Sequence, residues 1–309
     1  MAQTLKYPVT IKGVGLHGGQ PVNMIISPAP SGAGIVFVRT DVPASDAVVP
    51  ARFDLVTDTQ LCTKLTNSVG TSVGTVEHVM AALAGLGISD ALLRLDGPEV
   101  PIMGGSSLRF IRWLTEVGVT ETATHRPAIR MLREVRVEDG DKWAALSAAP
   151  EFRMDFRIEF TDAAIGAQSH QLVLKNGAFV GELSDCRTFG HLHEVEYMRS
   201  LGLARGGSLK NAIVVDRGRV LNPEGLRRPD EFVRHKMLDA VGDLALAGAP
   251  IIGQYTGVKA GHGLTNQLLR ALFDTPDAWC WDKLAAGEGL FAQASAVPGD
   301  RSENPALAV

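Results

Sequence analysis

Hydrophobic and polar positions first alternate with a period of two and then switch to a helical period, twice along the chain. In the first third, VNMIIS (22–27) and GIVFVRT (34–40) read as strands separated by the turn-rich SPAPSG, with LCTKLTN (61–67) as another. Val76, Val79, Met80 and Leu83 then recur at i, i+3, i+4 and i+7. This predicts a helix from near Thr75, as N-cap, to Gly87. A strand, DALLRLD (90–96), follows, and then a second helix, GSSLRFIRWLTEVG (105–118), capped by Ser106 or Ser107.

The polar, aperiodic ETATHRP (121–127) marks a domain boundary, which divides the chain into 1–124 and 125–290. Beyond it, AIRMLREVRVE and KWAALSA flank Asp139-Gly140, a hairpin signal. In FRMDFRIEF, residues Phe152, Met154, Phe156, Ile158 and Phe160 point one way, which predicts a half-buried antiparallel strand. HEVEYMRSLG (193–202) reads as a short helix and NAIVVD (211–216) as a strand. PDEFVRHKMLDAVGDLALAG (229–248) reads as a long helix with Asp230 as N-cap and Gly248 at its stop. IIGQYTGV is a strand and LTNQLLRALF (264–273) a closing helix.

Both halves therefore end helix, strand, helix. Val76-Glu77-His78-Val79-Met80 also parallels Val233-Arg234-His235-Lys236-Met237, each opening its helix. With the same order of elements around it, the match predicts a duplication. Two α+β halves then face each other, each offering a histidine from the start of one helix.

Composition narrows the classes. At 309 residues, 45% hydrophobic and 21% charged, the chain is an ordinary globular protein of one large domain or two of roughly 150 residues. A net charge of −4 disfavours a broad nucleic-acid surface. No uncharged apolar run reaches the ~18 residues of a membrane span, and MAQTLKYPVTIKG lacks the apolar core of a signal peptide. Cys62, Cys186 and Cys280 are too far apart for a thiolate metal motif and read as reduced, structural thiols. The expected location is cytoplasmic.

The strongest constellation is His235-Lys236-Met237-Leu238-Asp239. A wheel at ~100° per residue puts Val233, Met237, Val241 and Leu244 on one side, with His235, Asp239 and Asp243 opposite. His and Asp at i, i+4 can chelate one ion; a solvated face carrying an i, i+4 pair has the same spacing. His78, beside Glu77, likewise lies opposite its helix's apolar stripe, although a glutamate in a first turn also serves the helix dipole. Two His and one Asp leave zinc an open position for water, and a Glu adjoining a ligand is placed to take that water's proton. His262, between glycines in Lys259-Ala260-Gly261-His262-Gly263, fits a general acid or an incidental turn residue. Gly13-Val14-Gly15-Leu16-His17-Gly18-Gly19 lacks the Lys-Ser/Thr ending of a phosphate loop and reads as a strand-to-strand turn, with His17 structural. In Arg187-Thr188-Phe189-Gly190 a hydroxyl stands beside an aromatic in a loop.

Together these residues resemble the zinc-dependent UDP-3-O-acyl-N-acetylglucosamine deacetylases of lipid A biosynthesis. The stretches that carry the resemblance are GVGLHGG, TVEHVMAALAGLGI, PIMGGSS, CRTFG, GGSLKNAIVVD, DEFVRHKMLDAVGDLALAG and VKAGHGLTNQLL, spanning residues 13 to about 270. The resemblance implies an α+β fold of two similar domains. Each is a mixed sheet layered against helices, the helices of the two domains pack together, and the active site lies between them. It implies one Zn²⁺ per chain on His78, His235 and Asp239, a site that Fe²⁺ also suits. It further implies Glu77 as general base, His262 as general acid tuned by Asp243, and Thr188 as oxyanion stabiliser. Phe189, Lys236 and Lys259 fall at substrate-binding positions. Leu192, Val195, Met198, Leu209 and Val214 fall along a passage for the acyl chain. Gly104 departs from the family's usual aspartate, and His191 and His193 stand where apolar or aromatic residues are expected.

The implied partner is an acylated nucleotide sugar, with no nucleic acid and no membrane span. The tail 291–309 is expected to be disordered, and its apolar end Ala306-Leu307-Ala308-Val309 resembles the recognition point of a regulatory protease. Two other functions share these residues: a zinc amidohydrolase acting on another acetylated sugar, and a non-catalytic binder of nucleotide sugars or acyl chains.

Overall fold

The computed structural model describes residues 1–283. The expected tail at 291–309 and the end of the second domain, 284–290, lie outside the described residues. The architecture is α+β. Among the described residues six α-helices, α1 (Glu77–Gly85), α2 (Leu108–Val117), α3 (Ala178–Glu182), α4 (Leu192–Ser200), α5 (Glu231–Ala245) and α6 (His262–Phe273), accompany two five-stranded sheets. The first sheet comprises β1 (Val9–Val14), β2 (Pro21–Pro28), β3 (Ile35–Arg39), β4 (Val48–Pro50) and β5 (Ala91–Leu95). The second comprises β6 (Val135–Asp139), β7 (Lys142–Ser147), β8 (Arg153–Glu159), β9 (Ala167–Val173) and β10 (Gln254–Val258).

The duplication expected from the order of elements is present strand for strand in the two five-stranded sheets. The sheets run β1-β2-β5-β3-β4 and β6-β7-β10-β8-β9. In each, the last strand in sequence enters the middle, antiparallel to one neighbour and parallel to the other. In each half, an added three-stranded sheet lies between the fourth strand and the helix that follows. Each half also pairs its first short strand with its last, Gln3–Leu5 with Val119–Glu121 and Pro127–Met131 with Trp279–Lys283.

Period-two patterning explains the sheets. Val22, Met24 and Ile26 of β2, Ala91, Leu93 and Leu95 of β5, and Met154, Phe156 and Ile158 of β8 are all buried. Gly140-Asp141, one position beyond the Asp139-Gly140 signal, makes the turn between β6 and β7, with Gly140 at φ +61°. IIGQYTGV is broken at Gly253, because its two ends belong to different sheets. A Cβ there would meet Ser147 O at 2.7 Å.

Helices α5 and α6 lie on the second sheet and α2 lies against β1. The most extensive helix–helix contact is α1 with α5, which joins the halves. It depends on Gly242, where a Cβ would meet the carbonyl oxygen of Glu77 at 2.0 Å. No helix among the described residues is long and apolar enough to cross a membrane.

The N-caps of α5 and α2 fall at Asp230 and Ser107 as expected and that of α1 at Val76 rather than Thr75, but the side chains expected to cap make other bonds. Thr75 does not cap α1; it has φ +56° and its hydroxyl donates to Glu99 Oε1 at 3.0 Å. Asp230 makes no cap bond at α5, because its carboxylate is held by Arg234 at 2.7 Å. Ser107 precedes α2, and its hydroxyl donates to the carbonyl of His78 at 2.8 Å.

Candidate active site

The α1–α5 crossing brings equivalent histidines of the two halves together. The rings of His78 and His235 stand 5.1 Å apart at 80°. Asp239 Oδ1 lies 3.5 Å from His78 Nε2 and 3.3 Å from His235 Nε2, and it accepts no hydrogen bond. One donor atom from each of the three residues falls within 4.8 Å of the others. All three side chains are buried. This excludes the solvated-face alternative for α5, because α1 covers the stripe that the wheel left unpartnered.

Surrounding groups set the orientation of the donors. His235 Nδ1 lies 3.0 Å from the Cys186 carbonyl, so an Nδ1–H directs the Nε2 lone pair toward Asp239 and His78. Lys236 Nζ donates to Asp239 Oδ2 at 2.8 Å, leaving Oδ1 to the histidines. Burial would raise the Asp239 carboxyl, yet the Lys236 ammonium bonded to it holds it well below the usual carboxylate range. Burial pushes the His235 imidazole down to about 3, which keeps it neutral and able to donate a lone pair. Two imidazole nitrogens and a carboxylate oxygen form an N₂O donor set that suits Zn²⁺ or Fe²⁺.

Two further ionisable groups flank the donors. Glu77 is buried beside His78, and burial raises its carboxyl above the usual range against the opposing pull of His262 and His78. His262 is the first residue of α6, with Nδ1 2.8 Å from Asp243 Oδ2. Burial would lower its pKa, but the Asp243 charge and hydrogen bond prevail and push it up to about 9. Thr63, which no motif singled out, joins these groups. Its N–H donates to Glu77 Oε2 at 3.0 Å and its hydroxyl to Asp243 Oδ1 at 2.5 Å.

These groups open onto a pocket of about 390 Å³ lined by Glu77, His78, Thr188, Phe189, His235, Lys236, Asp239 and His262. Asp243 is not on its wall; it acts from behind His262. The Thr188 N–H is bonded to Gly105 O at 2.8 Å, so the hydroxyl is the donor it can offer a ligand. Phe189 packs edge-on to Phe232 and His235.

A second cavity, of about 260 Å³ and almost wholly apolar, shares Leu16, His17, Thr188, Phe189, Gly190 and Met198 with the first. Leu192, Val195, Met198, Leu209 and Val214 all line it. His17, read as structural, lines both cavities, and neither ring nitrogen makes a hydrogen bond. Phe160, read only as a strand residue, also faces the active-site pocket. The GVGLHGG turn is pinned by Glu99, which accepts the N–H groups of His17 and Gly18 at 2.9 Å each.

Lys259 differs from expectation. Its ammonium pairs with Asp141 at 2.8 Å and Glu159 at 2.5 Å, and it is not among the residues lining the pocket. Lys236 reaches the pocket wall, but its ammonium is engaged by Asp239. His191 takes a place in the pocket, with its ring 6.1 Å from Phe160 and 5.4 Å from His193. At Gly104 a Cβ would have only Arg109 Nε nearby, at 3.8 Å, so the missing aspartate leaves the donors untouched.

Two α+β halves that share a buried His-His-Asp cluster, with a carboxylate and a histidine–aspartate pair beside it, define a metal-dependent hydrolase. A family model described as "LpxC: UDP-3-O-acyl N-acetylglycosamine deacetylase" matches residues 2–274. The chain is 53% identical to the UDP-3-O-acyl-N-acetylglucosamine deacetylase of Phenylobacterium zucineum (strain HLK1) over 276 residues, 89% of this chain and 94% of that protein. It is 48% identical to proteins of the same name from Shewanella sediminis (strain HAW-EB3) and Shewanella frigidimarina (strain NCIMB 400), over 90% of this chain and 91% of each. The chain belongs to the UDP-3-O-acyl N-acetylglycosamine deacetylase family.

Proposed function

We propose that this protein hydrolyses the N-acetyl group of UDP-3-O-acyl-N-acetylglucosamine, giving acetate and the free 2-amino sugar nucleotide of lipid A biosynthesis. The observation that carries the proposal is the shared wall of two spaces. A pocket lined by a His-His-Asp cluster, Glu77 and His262 adjoins an apolar cavity, and Leu16, His17, Thr188, Phe189, Gly190 and Met198 line both. A hydrolase of a simple acetylated sugar has no use for the second space.

His78, His235 and Asp239 would hold one Zn²⁺, and Fe²⁺ fits the same donors. The chemistry such an ion supplies when bound is Lewis-acid polarisation of a carbonyl and acidification of water. Glu77 takes a proton from the attacking water as the water oxygen bonds to the acetyl carbon. The Thr188 hydroxyl donates to the oxygen on which negative charge develops. His262, as imidazolium held by Asp243, protonates the sugar nitrogen as the C–N bond breaks. Phe189 packs beside the sugar, and Leu192, Val195, Met198, Leu209 and Val214 enclose the acyl chain. Lys236 and Lys259 serve the charged nucleotide, and for Lys259 this requires that it leave Asp141 and Glu159.

The domain boundary is assigned at 124/125. Three free cysteines fit a reducing compartment such as the cytoplasm. The apolar chain end is assigned as the recognition point of a regulatory protease. The test of the activity is incubation with UDP-3-O-acyl-N-acetylglucosamine, with acetate and the amine product followed by mass spectrometry. Hydrolysis that stops on chelation and returns with zinc is the expected result. A substrate left intact by the zinc-loaded enzyme overturns the proposal.

A further inference from the structure

Thr63 lies on the link into the short strand Lys64–Thr66 of the first half, is buried, and has all three of its polar groups engaged. Its carbonyl accepts the N–H of Val76, one residue before α1, at 3.3 Å. Its own N–H donates to Glu77 Oε2 at 3.0 Å. Its hydroxyl crosses to the other half and donates to Asp243 Oδ1 at 2.5 Å, while Oδ2 of the same carboxylate holds His262 Nδ1 at 2.8 Å. One residue thus connects the proton-accepting carboxylate of the first half to the histidine–aspartate pair of the second.

We infer that Thr63 is a positioning residue for the hydrolysis, fixing Glu77 through its backbone and the Asp243–His262 pair through its hydroxyl. The inference rests on the hydrolytic reading above. A carboxylate with one oxygen anchored cannot rotate about its terminal bond without breaking a buried hydrogen bond, so the second oxygen stays aimed at His262. Removing the hydroxyl frees that rotation while leaving the N–H contact to Glu77. Thr63 is not on the pocket wall, so it acts on the reaction only through Glu77 and Asp243. Binding and turnover should therefore respond differently.

The experiment compares Thr63→Val and Thr63→Ser with wild type on UDP-3-O-acyl-N-acetylglucosamine at equal bound metal. Thr63→Val should lower kcat roughly 10–100-fold, a part of the ~10²–10⁴ that one acid–base group supplies, with KM changed less than about twofold. Thr63→Ser, which keeps the hydroxyl, should recover most of the loss. In an Asp243→Ala background, Thr63→Val should change kcat by less than about twofold, because the two act as one unit. Thr63→Cys, with a weak S–H donor, serves where Thr63→Val does not fold. Wild-type kcat in Thr63→Val, or in Thr63→Cys where Val does not fold, no recovery by Ser, or an undiminished effect without Asp243 overturns the inference. A wild-type enzyme that leaves the substrate intact instead overturns the hydrolytic reading.

Discussion

His262 Nδ1 lies 2.8 Å from Asp243 Oδ2 in a buried setting, and this contact holds the imidazole pKa at about 9, above its ordinary 6.5. Burial acts in the opposite direction, so Asp243 is the main group that keeps the imidazole protonated.

The pH–rate profile should therefore keep its basic limb near 9 in the wild type. Asp243→Ala removes the main group opposing burial and should bring that limb down from about 9 toward 6.5. The same pair affects stability with the same sign. Its contribution is complete below 6.5 and is lost as the pH rises through 9. The check is kcat/KM against pH for both proteins at equal metal content; an unmoved limb in Asp243→Ala removes His262 as its source.

Glu77→Gln should keep the side-chain contact with Thr63 but cannot accept a proton. A loss of roughly 10²–10⁴-fold in kcat is expected, together with the acidic limb of the profile. Metal content measured on the same samples should match wild type. Activity within tenfold of wild type would show that another group takes the proton.

Chelation should abolish turnover and leave the fold in place. The three donors sit on helices whose cores are already buried, and α1 and α5 meet through backbone contact at Gly242 rather than through the donors. Metal should add a stability increment of about 2.7 kcal/mol at a hundredfold excess over Kd, not the whole fold. Far-UV circular dichroism with and without chelator decides this. Collapse of the signal would make the site structural.

Gly242→Ala should damage both stability and metal binding. Its Cβ would stand 2.0 Å from Glu77 O, and backbone cannot yield as a side-chain tip does. Overpacking of this kind costs about 1–3 kcal/mol, and here it pushes His78 away from His235 and Asp239. Thermal unfolding and zinc titration should both weaken, and a variant with wild-type zinc affinity would contradict the account.

Val195→Trp should fill the apolar cavity without touching the metal donors. Long-chain substrates should lose kcat/KM roughly 10–100-fold while a short 3-O-acyl analogue is spared, since only bound methylenes are displaced. Equal losses on both substrates would place Val195 outside the acyl path.

Much of this arrangement was written locally. Two donors four residues apart on one helix share a face whatever surrounds them, so His235 and Asp239 could be paired from spacing alone. Period-two runs such as FRMDFRIEF declared their buried face, and the repeated order of helix and strand announced the duplication. What spacing could not say is what covers a face. The wheel left His235, Asp239 and Asp243 open to solvent or ligand, and only the α1–α5 crossing, set by a glycine 164 positions from His78 (242 − 78), buried them against a second histidine. Thr63 carried no motif because its importance is a hydroxyl aimed across 180 residues of chain at Asp243. Lys259 carried a motif, but the carboxylates of Asp141 and Glu159, distant in sequence, drew its charge away from the pocket. Local sequence fixes which side chains share a helix face or a strand face. Which faces meet depends on long-range packing and on the electrostatics of distant partners, and neither is expressed in residue spacing.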